Sequence, residues 1–331
     1  MRSFFSLALV CASVASTVFA IPAISNTPRC GVSFTQKEIQ ELEMKFALDL
    51  AKHEAKKLEE RAPISQIHPP APGSGKRYID PFGRQSHNTP VWHVIYSSTT
   101  WNGGYLSDAN IQESIKVLNK DFKGIFIFRL SRITRTLNAD WFNNVRKKSA
   151  QDKAMKAALR SGPQSTMNVY SVGNPGALGY STMTDAWAID RNSDGVVIRW
   201  NTVPGGAAPY NLGRTLTHEA GHWVGLYHVF DDNGRCGDAD MVADTPAQST
   251  PTFGCPATKD SCAGGGIDSI HNYMDYTDDS CMTGWTTGQV TRMIKQCETY
   301  RAIYPTYPNP SPDWLTGSED PSTNDDPQDT A

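Results

Sequence analysis

Residues 218–228 read HEAGHWVGLYH and decide the fold of this chain. His218 and His222 are four positions apart, so on a helix their imidazoles lie on one face and can share a metal ion. His228 comes six residues later, and a continuous helix would turn it roughly 240° away and about 9 Å along the axis. Gly225 resolves this, because glycine readily adopts the left-handed conformation that ends a helix. The spacing predicts a three-histidine zinc site on a helix that Asn211 caps.

The predicted zinc site has the chemistry of a hydrolase. Three neutral histidines leave the ion its full charge and a fourth position open for water, whose pKa zinc lowers from 15.7 to about 7. Glu219 follows the first ligand and suits the general base that takes the proton of the water and delivers it to the leaving amine. The alternative, chance histidines on a partly buried helix, leaves the glycine and the third histidine at fixed offsets unexplained.

The same motif resembles the long zinc signature of the metzincin metalloproteases. Metzincins also carry a tight methionine turn beneath the metal, and residues 271–276, HNYMDY, are similar to it with Met274 as the turn methionine. The resemblance implies that Tyr276 stabilises the tetrahedral intermediate near the zinc. Within the metzincins, the chain is most similar to the pappalysin family, in its short secreted fungal form, through GLYH at 225–228, DMVADTP at 240–246 and NYM at 272–274.

The resemblance covers roughly residues 85 to 300 and implies an α+β, metzincin-type fold. The implied upper half has a twisted, mostly parallel sheet and two long helices, and the lower half has loops, disulfides and a C-terminal helix, with the zinc cleft between them. Strand and helix patterns followed by an irregular, cysteine-rich part indicate the same class. A substrate could add as a strand along a sheet edge, for which residues 196–200 are the candidate. An internal strand is the alternative for that segment.

Local patterns place the other elements. Thr35 and Glu38 form a capping-box pattern before a helix that ends near Arg61. Ser107 begins a helical pattern that Gly124 ends, and a second pattern covers residues 149–160. Apolar runs predict strands at 91–96, 125–130, 167–172, 178–183 and 196–200.

The rest of the chain divides into a leader, a catalytic domain and a tail. Residues 1–20 have a positive start, an apolar run and a small residue at a cleavage point, which is typical of a secretory signal peptide. A membrane anchor is the alternative, but the run falls short of the roughly 20 apolar residues of a span. Residues 21–77 are predicted to be a prosegment and linker, in which Lys76-Arg77 is a processing site or a solvated pair. Residues 78–303 form the predicted catalytic domain, and the acidic, proline-rich residues 304–331 a disordered tail.

Charge and composition exclude two classes of partner. Lys+Arg total 31 and Asp+Glu total 34, a net charge of -3 without the clustered basic surplus of nucleic-acid-binding proteins. No segment after the signal peptide is long and apolar enough to span a membrane. We therefore expect neither a nucleic-acid partner nor a membrane span.

Five of the seven cysteines lie between Cys236 and Cys297, which indicates disulfides in an oxidising compartment. Cys236, Cys255, Cys262 and Cys281 can form two disulfides in three different pairings. A zinc cluster is discounted because these cysteines lack the paired Cys-x-x-Cys spacing. The resemblance favours the interleaved pairs Cys236–Cys262 and Cys255–Cys281. Cys297 lies on the apolar face of the predicted last helix, where we expect a buried free thiol.

Cys30 stands in the leader sequence PRCGV at residues 28–32. A thiolate is a strong zinc ligand, so Cys30 could fill the fourth position and exclude the catalytic water. This is similar to the cysteine switch of matrix metalloproteinase zymogens, which use an Arg-Cys-Gly core. Arg29 could hold the segment in the cleft by pairing with an acidic residue. A Cys30–Cys297 disulfide and a free thiol lost with the leader are the alternatives.

A loop rich in aspartate follows the zinc motif. It contains Asp240, Asp244 and Thr245, and calcium prefers such clusters of carboxylate and carbonyl oxygens. The resemblance supports a possible calcium site there. A solvated acidic loop is the alternative.

A second group of acids, Asp275, Asp278 and Asp279, follows the methionine turn. In metzincins this segment helps to form the pocket for the side chain just after the scissile bond. A carboxylate in that pocket would favour Arg or Lys. Aspartates that face solvent are the alternative.

These features together predict a secreted, zinc-dependent endopeptidase whose partners are protein or peptide substrates. A non-catalytic secreted binding protein on a protease scaffold is the alternative, and a zinc hydrolase that acts on other substrates is a third possibility. A decayed enzyme is expected to lose Glu219 or a histidine, and this chain keeps them all. The catalytic set therefore favours the peptidase.

Overall fold

The structure, a computed structural model, describes residues 28–61 and 87–304. The predicted signal peptide, the linker with Lys76-Arg77 and the predicted tail beyond residue 304 lie outside the described residues. The fold is a mixed sheet with helices over a loop-rich lower half, so the α+β class is confirmed. No helix within the described residues is long and apolar enough to cross a membrane.

Seven strands within the described residues form two sheets. Five of them make the main sheet, in the order β4-β2-β5-β7-β6, and all neighbours in it are parallel except β6 and β7. The short strands β1 and β3 pair with each other in parallel. The strand bounds are β1 His87–Asn88, β2 Val91–Tyr96, β3 Ile127–Phe128, β4 Arg132–Leu137, β5 Asn168–Val172, β6 Gly179–Ser181 and β7 Val196–Arg199.

The edge predicted at residues 196–200 is wrong, because β7 lies between β5 and β6 and its first three residues are buried. The edge strand on that side is β6, and β4 forms the opposite edge. The strand β4 was not predicted, because its sequence RITRTL contains only two apolar residues, four positions apart. The strand predicted at 125–130 is confined to Ile127–Phe128, because a turn ends α2 before it.

Seven α-helices complete the fold in the part of the chain that the structure describes. Ser107 caps the second with a reciprocal capping box, Ser149 caps the fourth, and Thr35 and Glu38 bond reciprocally at the start of the first. The predicted cap of the zinc helix at Asn211 is wrong: the helix begins at Arg214, after Gly213 in a left-handed conformation. The bounds are α1 Gln36–Arg61, α2 Asp108–Asp121, α3 Ala139–Asn144, α4 Ala150–Leu159, α5 Ala186–Ile189, α6 Arg214–Trp223 and α7 Thr287–Tyr300.

A buried carboxylate joins the two halves around the zinc helix. Asp121, at the end of α2, accepts hydrogen bonds from Arg214 and from the Thr217 hydroxyl on α6, the latter at 2.6 Å. The Tyr273 hydroxyl of the lower half donates to the same carboxylate at 3.2 Å. Because a buried charge is tolerated only when it is paired and hydrogen-bonded, this network fixes α6 between the sheet and the methionine turn.

Disulfides staple the loop-rich lower half. The structure has Cys236–Cys262 and Cys255–Cys281, each with a sequence separation of 26, which is the interleaved pairing that the resemblance implies. Cys297 is a free, buried thiol on α7, as the sequence predicts. Cys30 is also free and buried, so the structure contains no Cys30–Cys297 disulfide.

Candidate metal centre and active site

The zinc motif occupies α6 and the turn that follows it. His218, Glu219 and His222 are buried on α6. Gly225 has a φ of +104°, which ends the helix and redirects the chain toward His228. A side chain at position 225 would also collide with Gln296 of α7, because a Cβ there would lie 2.6 Å from Gln296 Cγ. The sequence needs glycine at this point for two reasons, the backbone turn and the close packing.

Met274 supports the helix from below. It is fully buried, and a Cβ at Gly221 of α6 would lie 2.5 Å from its sulfur. The Asn272 side chain holds the turn by accepting the Met274 amide proton at 2.9 Å. The methionine turn therefore packs directly against the histidine helix.

Four potential ligand atoms converge at this point. The donor atoms of His218, His222, His228 and Cys30 all lie within 4.8 Å of one another, and all four residues are buried. No other group of three or more possible ligands from His, Cys, Asp and Glu occurs within residues 28–61 and 87–304. Three imidazoles and one thiol form a donor set that zinc prefers.

Hydrogen bonds orient the three imidazoles. His218 Nδ1 bonds to the Tyr273 carbonyl at 2.7 Å, and His222 Nδ1 bonds to the Leu226 carbonyl at 2.8 Å. His228 Nδ1 lies 3.1 Å from a carboxylate oxygen of Asp232. With Nδ1 engaged, the Nε2 atom of each ring faces the centre, and His218 Nε2 is buried without a protein partner. Such outer hydrogen bonds fix the tautomer of metal-binding histidines, so the residues fit a zinc ion.

Burial sets the protonation states in the centre. It lowers the pKa of His218 and His222 well below the usual value, which keeps both rings neutral and able to bind metal. It raises the pKa of the Glu219 carboxyl to about 8. Both carboxylate oxygens of Glu219 are buried and make no hydrogen bond to the protein. An unpaired buried carboxyl beside a metal-type cluster is typical of a proton-transfer group.

The leader crosses the site at Cys30. Its thiol sulfur lies 3.4 Å from His222 Nε2. Burial raises the pKa of this thiol well above its usual value, whereas a bound zinc ion would deprotonate it. On both sides of Cys30 the leader bonds to the edge strand: the Gly31 amide donates to the Gly179 carbonyl at 2.9 Å, and the Gly179 amide donates to the Arg29 carbonyl at 3.2 Å. The leader therefore extends the main sheet by one parallel bridge at β6.

Gly179 leaves room for this arrangement. A Cβ at position 179 would lie 2.8 Å from Glu219 Cγ. A larger residue would therefore push the Glu219 side chain away from the cluster. The edge strand and the zinc helix touch here because position 179 has no side chain.

Arg29 fills a buried acidic pocket beside the cluster. Its guanidinium donates to Asp279 at 2.9 Å and to the Thr277 carbonyl at 2.7 Å, and it lies over the Tyr210 ring. Asp275 does not take part, because its carboxylate accepts bonds from Thr252 and Gln248. Of the three acids after the methionine turn, Asp279 is the one that the leader arginine contacts.

Tyr276 lies at the rim of the cluster. Its hydroxyl is 3.3 Å from His228 Nε2 and donates to the Cys30 carbonyl at 3.3 Å. Burial raises its pKa well above the usual value, so the hydroxyl keeps its proton and can act as a donor.

The residues of the predicted calcium site bond to the protein itself. Asp240 is buried and accepts from the Thr245 hydroxyl at 2.8 and 2.9 Å. Asp244 instead accepts from Thr286 at 2.7 Å and from the Gly288 amide at 2.8 Å, at the start of α7. The two carboxylates thus serve separate local bonds, and calcium stays a prediction.

Sequence reasoning missed contacts that join the leader to the domain. Glu43 on α1 forms a bidentate pair with Arg292 on α7, at 3.0 and 2.6 Å, and accepts from the Tyr227 hydroxyl at 3.1 Å. Asp232 accepts from the Phe34 amide at 3.0 Å while it also contacts His228. The position of Asp232 four residues after His228 was a usable signal, whereas nothing local relates Glu43 to Arg292.

Comparison with known proteins agrees with this geometry. Residues 163–298 match the family model described as pregnancy-associated plasma protein-A. An extracellular metalloprotease of Arthroderma otae is 46% identical over 217 residues, which cover 63% of this chain and 77% of that protein. An extracellular metalloprotease of Podospora anserina is 37% identical over 305 residues, which cover 90% of this chain and 98% of that protein.

The chain belongs to the pappalysin family of metzincins. It is a metalloendopeptidase. Among solved structures, mature mirolysin of Tannerella forsythia in complex with a cleaved peptide has a TM-score of 0.53 and 29% identity, and covers 65% of this chain and 97% of that chain. A promirolysin variant matches with a TM-score of 0.58 and 28% identity, and the match covers 83% of this chain and 95% of the promirolysin chain. This pappalysin therefore shares its fold with a protease solved in mature and precursor forms.

Proposed function

We propose that this pappalysin is a secreted, zinc-dependent endopeptidase held latent by its own leader. The observation that carries the proposal is the convergence of three histidines and the leader cysteine within 4.8 Å, beside the buried Glu219. The names of its relatives, which are extracellular metalloproteases, support action on extracellular proteins.

His218, His222 and His228 would hold the zinc ion. When bound, zinc supplies an electrophile and lowers the pKa of a water ligand to about 7. Glu219 accepts the proton of the attacking water and passes it to the leaving amine, because its buried carboxyl follows the first histidine ligand on α6 and lies beside the cluster. The Tyr276 hydroxyl stabilises the negative charge that develops on the scissile carbonyl oxygen.

Cys30 blocks this chemistry in the precursor. Its sulfur lies at the open face of the histidine cluster, where the catalytic water would bind. Phe34 of the leader also contacts the domain. Its backbone amide donates to the Asp232 carboxylate, and its ring packs edge-on against the Tyr227 ring. The larger coverage by promirolysin, 83% against 65% for mature mirolysin, supports reading the leader as a prosegment.

The Arg29 pocket defines the preferred substrate. An arginine or lysine just after the scissile bond would replace Arg29 and pair with Asp279. The backbone amides of Leu212 and Arg214 donate to the second Asp279 oxygen, at 2.9 and 3.1 Å, and hold the carboxylate in place. We therefore infer cleavage before basic residues.

The test of the function is the variant Glu219→Gln. It should keep zinc, because the three ligands remain, and lose nearly all peptidase activity, because the proton acceptor is gone. His222→Ala should lose both the metal and the activity. Zinc content by elemental analysis and cleavage of an arginine-containing peptide would be measured together. A Glu219→Gln enzyme within tenfold of the wild type would contradict the mechanism.

A further inference from the structure

Lys147 makes a contact with the leader that the proposed chemistry does not use. Its ammonium group donates a hydrogen bond to the Gly31 carbonyl at 3.0 Å. Gly31 directly follows Cys30, whereas Arg29, in the Asp279 pocket, directly precedes it. Lys147 and Asp279 therefore hold the leader on opposite sides of the residue that faces the histidine cluster.

The loop that carries Lys147 is short and held by hydrogen bonds. It joins α3, which ends at Asn144, to α4, which begins at Ala150. The Arg146 amide donates to the Ser149 hydroxyl at 3.2 Å, and the Lys148 amide donates to Asp152 at 3.0 Å. Lys148 has a φ of 65°, a left-handed conformation that turns the chain at this point. The backbone at Lys147 is therefore fixed relative to the cleft.

No carboxylate pairs with Lys147 among the residues that the structure describes. The neighbouring cations Lys148 and Lys156 repel it, and the side chain is half-buried. Burial lowers its pKa, and the neighbouring Cys30 and Glu219 side chains act against this shift. When the leader departs, the ammonium group loses its hydrogen-bond acceptor and faces the cleft.

We propose that Lys147 is a substrate-binding residue that captures a main-chain carbonyl of the substrate on the side of the scissile bond opposite the Asp279 pocket. The inference rests on the proposed function, because it takes the leader as occupying the substrate cleft. A substrate that binds along the edge of β6 replaces the leader there. The hydrogen bond goes to the main-chain carbonyl of Gly31, which has no side chain. Lys147 can therefore bind a substrate with any residue at the matching position.

The test is a set of matched variants of the mature enzyme, obtained by expressing the full chain and letting it mature. Peptides with arginine after the scissile bond would carry one to four residues before it. Lys147→Met should raise KM about tenfold on the longer peptides, since hydrogen bonds from charged groups contribute strongly, and change kcat little. Lys147→Arg should recover most of the loss, and Lys148→Met should behave as the wild type. A KM equal to that of the wild type on the longest peptide, or an equal loss at every length, would overturn the proposal.

A second measurement needs no catalysis. A peptide of residues 28–35 with the substitution Cys30→Ser would be titrated calorimetrically into zinc-loaded Glu219→Gln protein, with and without Lys147→Met, after the leader has been cut by wild-type enzyme and separated from the domain. The proposal expects about tenfold weaker binding with Lys147→Met, and an equal Kd would overturn it. An inactive wild type with lysine-dependent peptide binding would count against the peptidase mechanism and still support the Lys147 site.

Discussion

Asp279 offers a direct way to change which bonds this enzyme cleaves. Its side chain is fully buried and pairs with the Arg29 guanidinium at 2.9 Å, while Leu212 and Arg214 donate backbone amides to its other oxygen. Removal of the leader takes away the cation and leaves the two amides. A basic substrate side chain would restore the cation, so Asp279→Asn should remove the preference for arginine.

The size of the effect follows from the geometry. Two unit charges 2.9 Å apart interact by about 6 kcal/mol at an effective dielectric of about 20. Removing one partner of a buried pair costs about 3–5 kcal/mol in practice. Part of this remains, since asparagine can still accept one hydrogen bond. We therefore expect a loss near the lower figure, which is about two orders of magnitude in kcat/KM for arginine peptides.

The assay compares two peptides that differ only in arginine or leucine just after the scissile bond. In the wild type the ratio of their kcat/KM values should be large, and Asp279→Asn should lower it about a hundredfold by reducing cleavage of the arginine peptide. Asp278→Asn is the matched control, because Asp278 neighbours the pocket without a hydrogen bond to Arg29. An arginine-to-leucine ratio that stays within threefold of the wild type in Asp279→Asn would refute the pocket assignment.

Three further outcomes follow from the leader and the core. A Cys30→Ala precursor should cleave peptides before its leader is cut, and latency equal to the wild type would contradict the switch. Cleavage within residues 62–86 should leave the leader bound, because its described contacts with the domain lie before that segment. Glu43→Lys breaks the ion pair with Arg292, so the cut leader should separate from the domain faster in gel filtration. Glu41→Lys is the control, because Glu41 pairs with Lys37 of the same helix. Burial lowers the pKa of His93 to about 4, so the neutral ring favours the folded state and stability should fall as pH drops from about 6.5 to 4. Thermal unfolding of His93→Gln should show a shallower fall over that range.

The sequence was most informative where chemistry depends on short spacings. The offsets among His218, His222, Gly225 and His228 predicted a helix, its end and a ligand set within one local segment, and these residues converge in the structure. Helix caps were predicted where a serine or threonine side chain bonds to an amide three residues on, as at Ser107. Such features depend on neighbours along the chain, and for that reason the sequence alone reveals them.

The errors concern features that depend on distant parts of the chain. Asn211 looked like a cap, but the chain stays irregular until Gly213, since Asp279 binds the amides of Leu212 and Arg214 from 65 or more residues away. Which strand forms the sheet edge depends on the strand order, which local sequence does not reveal. The edge strand at 179–181 has only three residues, so the longer apolar run at 196–199 was the stronger strand pattern in the sequence. The sequence offered three aspartates for the basic pocket, Asp275, Asp278 and Asp279, and only the tertiary hydrogen bond to Arg29 distinguishes Asp279, since Asp275 is equally buried but bonds to Thr252 and Gln248.

The leader occupies the cleft and yet is arranged so that its own peptide bonds avoid the catalytic centre. A side-chain sulfur of Cys30, rather than a carbonyl carbon, faces the histidine cluster. The Cys30 carbonyl instead accepts from the Tyr276 hydroxyl, the group proposed to stabilise a substrate oxyanion. The chain pairs with β6 in parallel through one bridge and then leaves the edge toward Asp232. Arg29, Cys30 and the contacts of α1 hold the leader in the cleft, and we infer that the proposed latency needs no cleavage of the leader at this point, because a side-chain sulfur and not a carbonyl group meets the histidines.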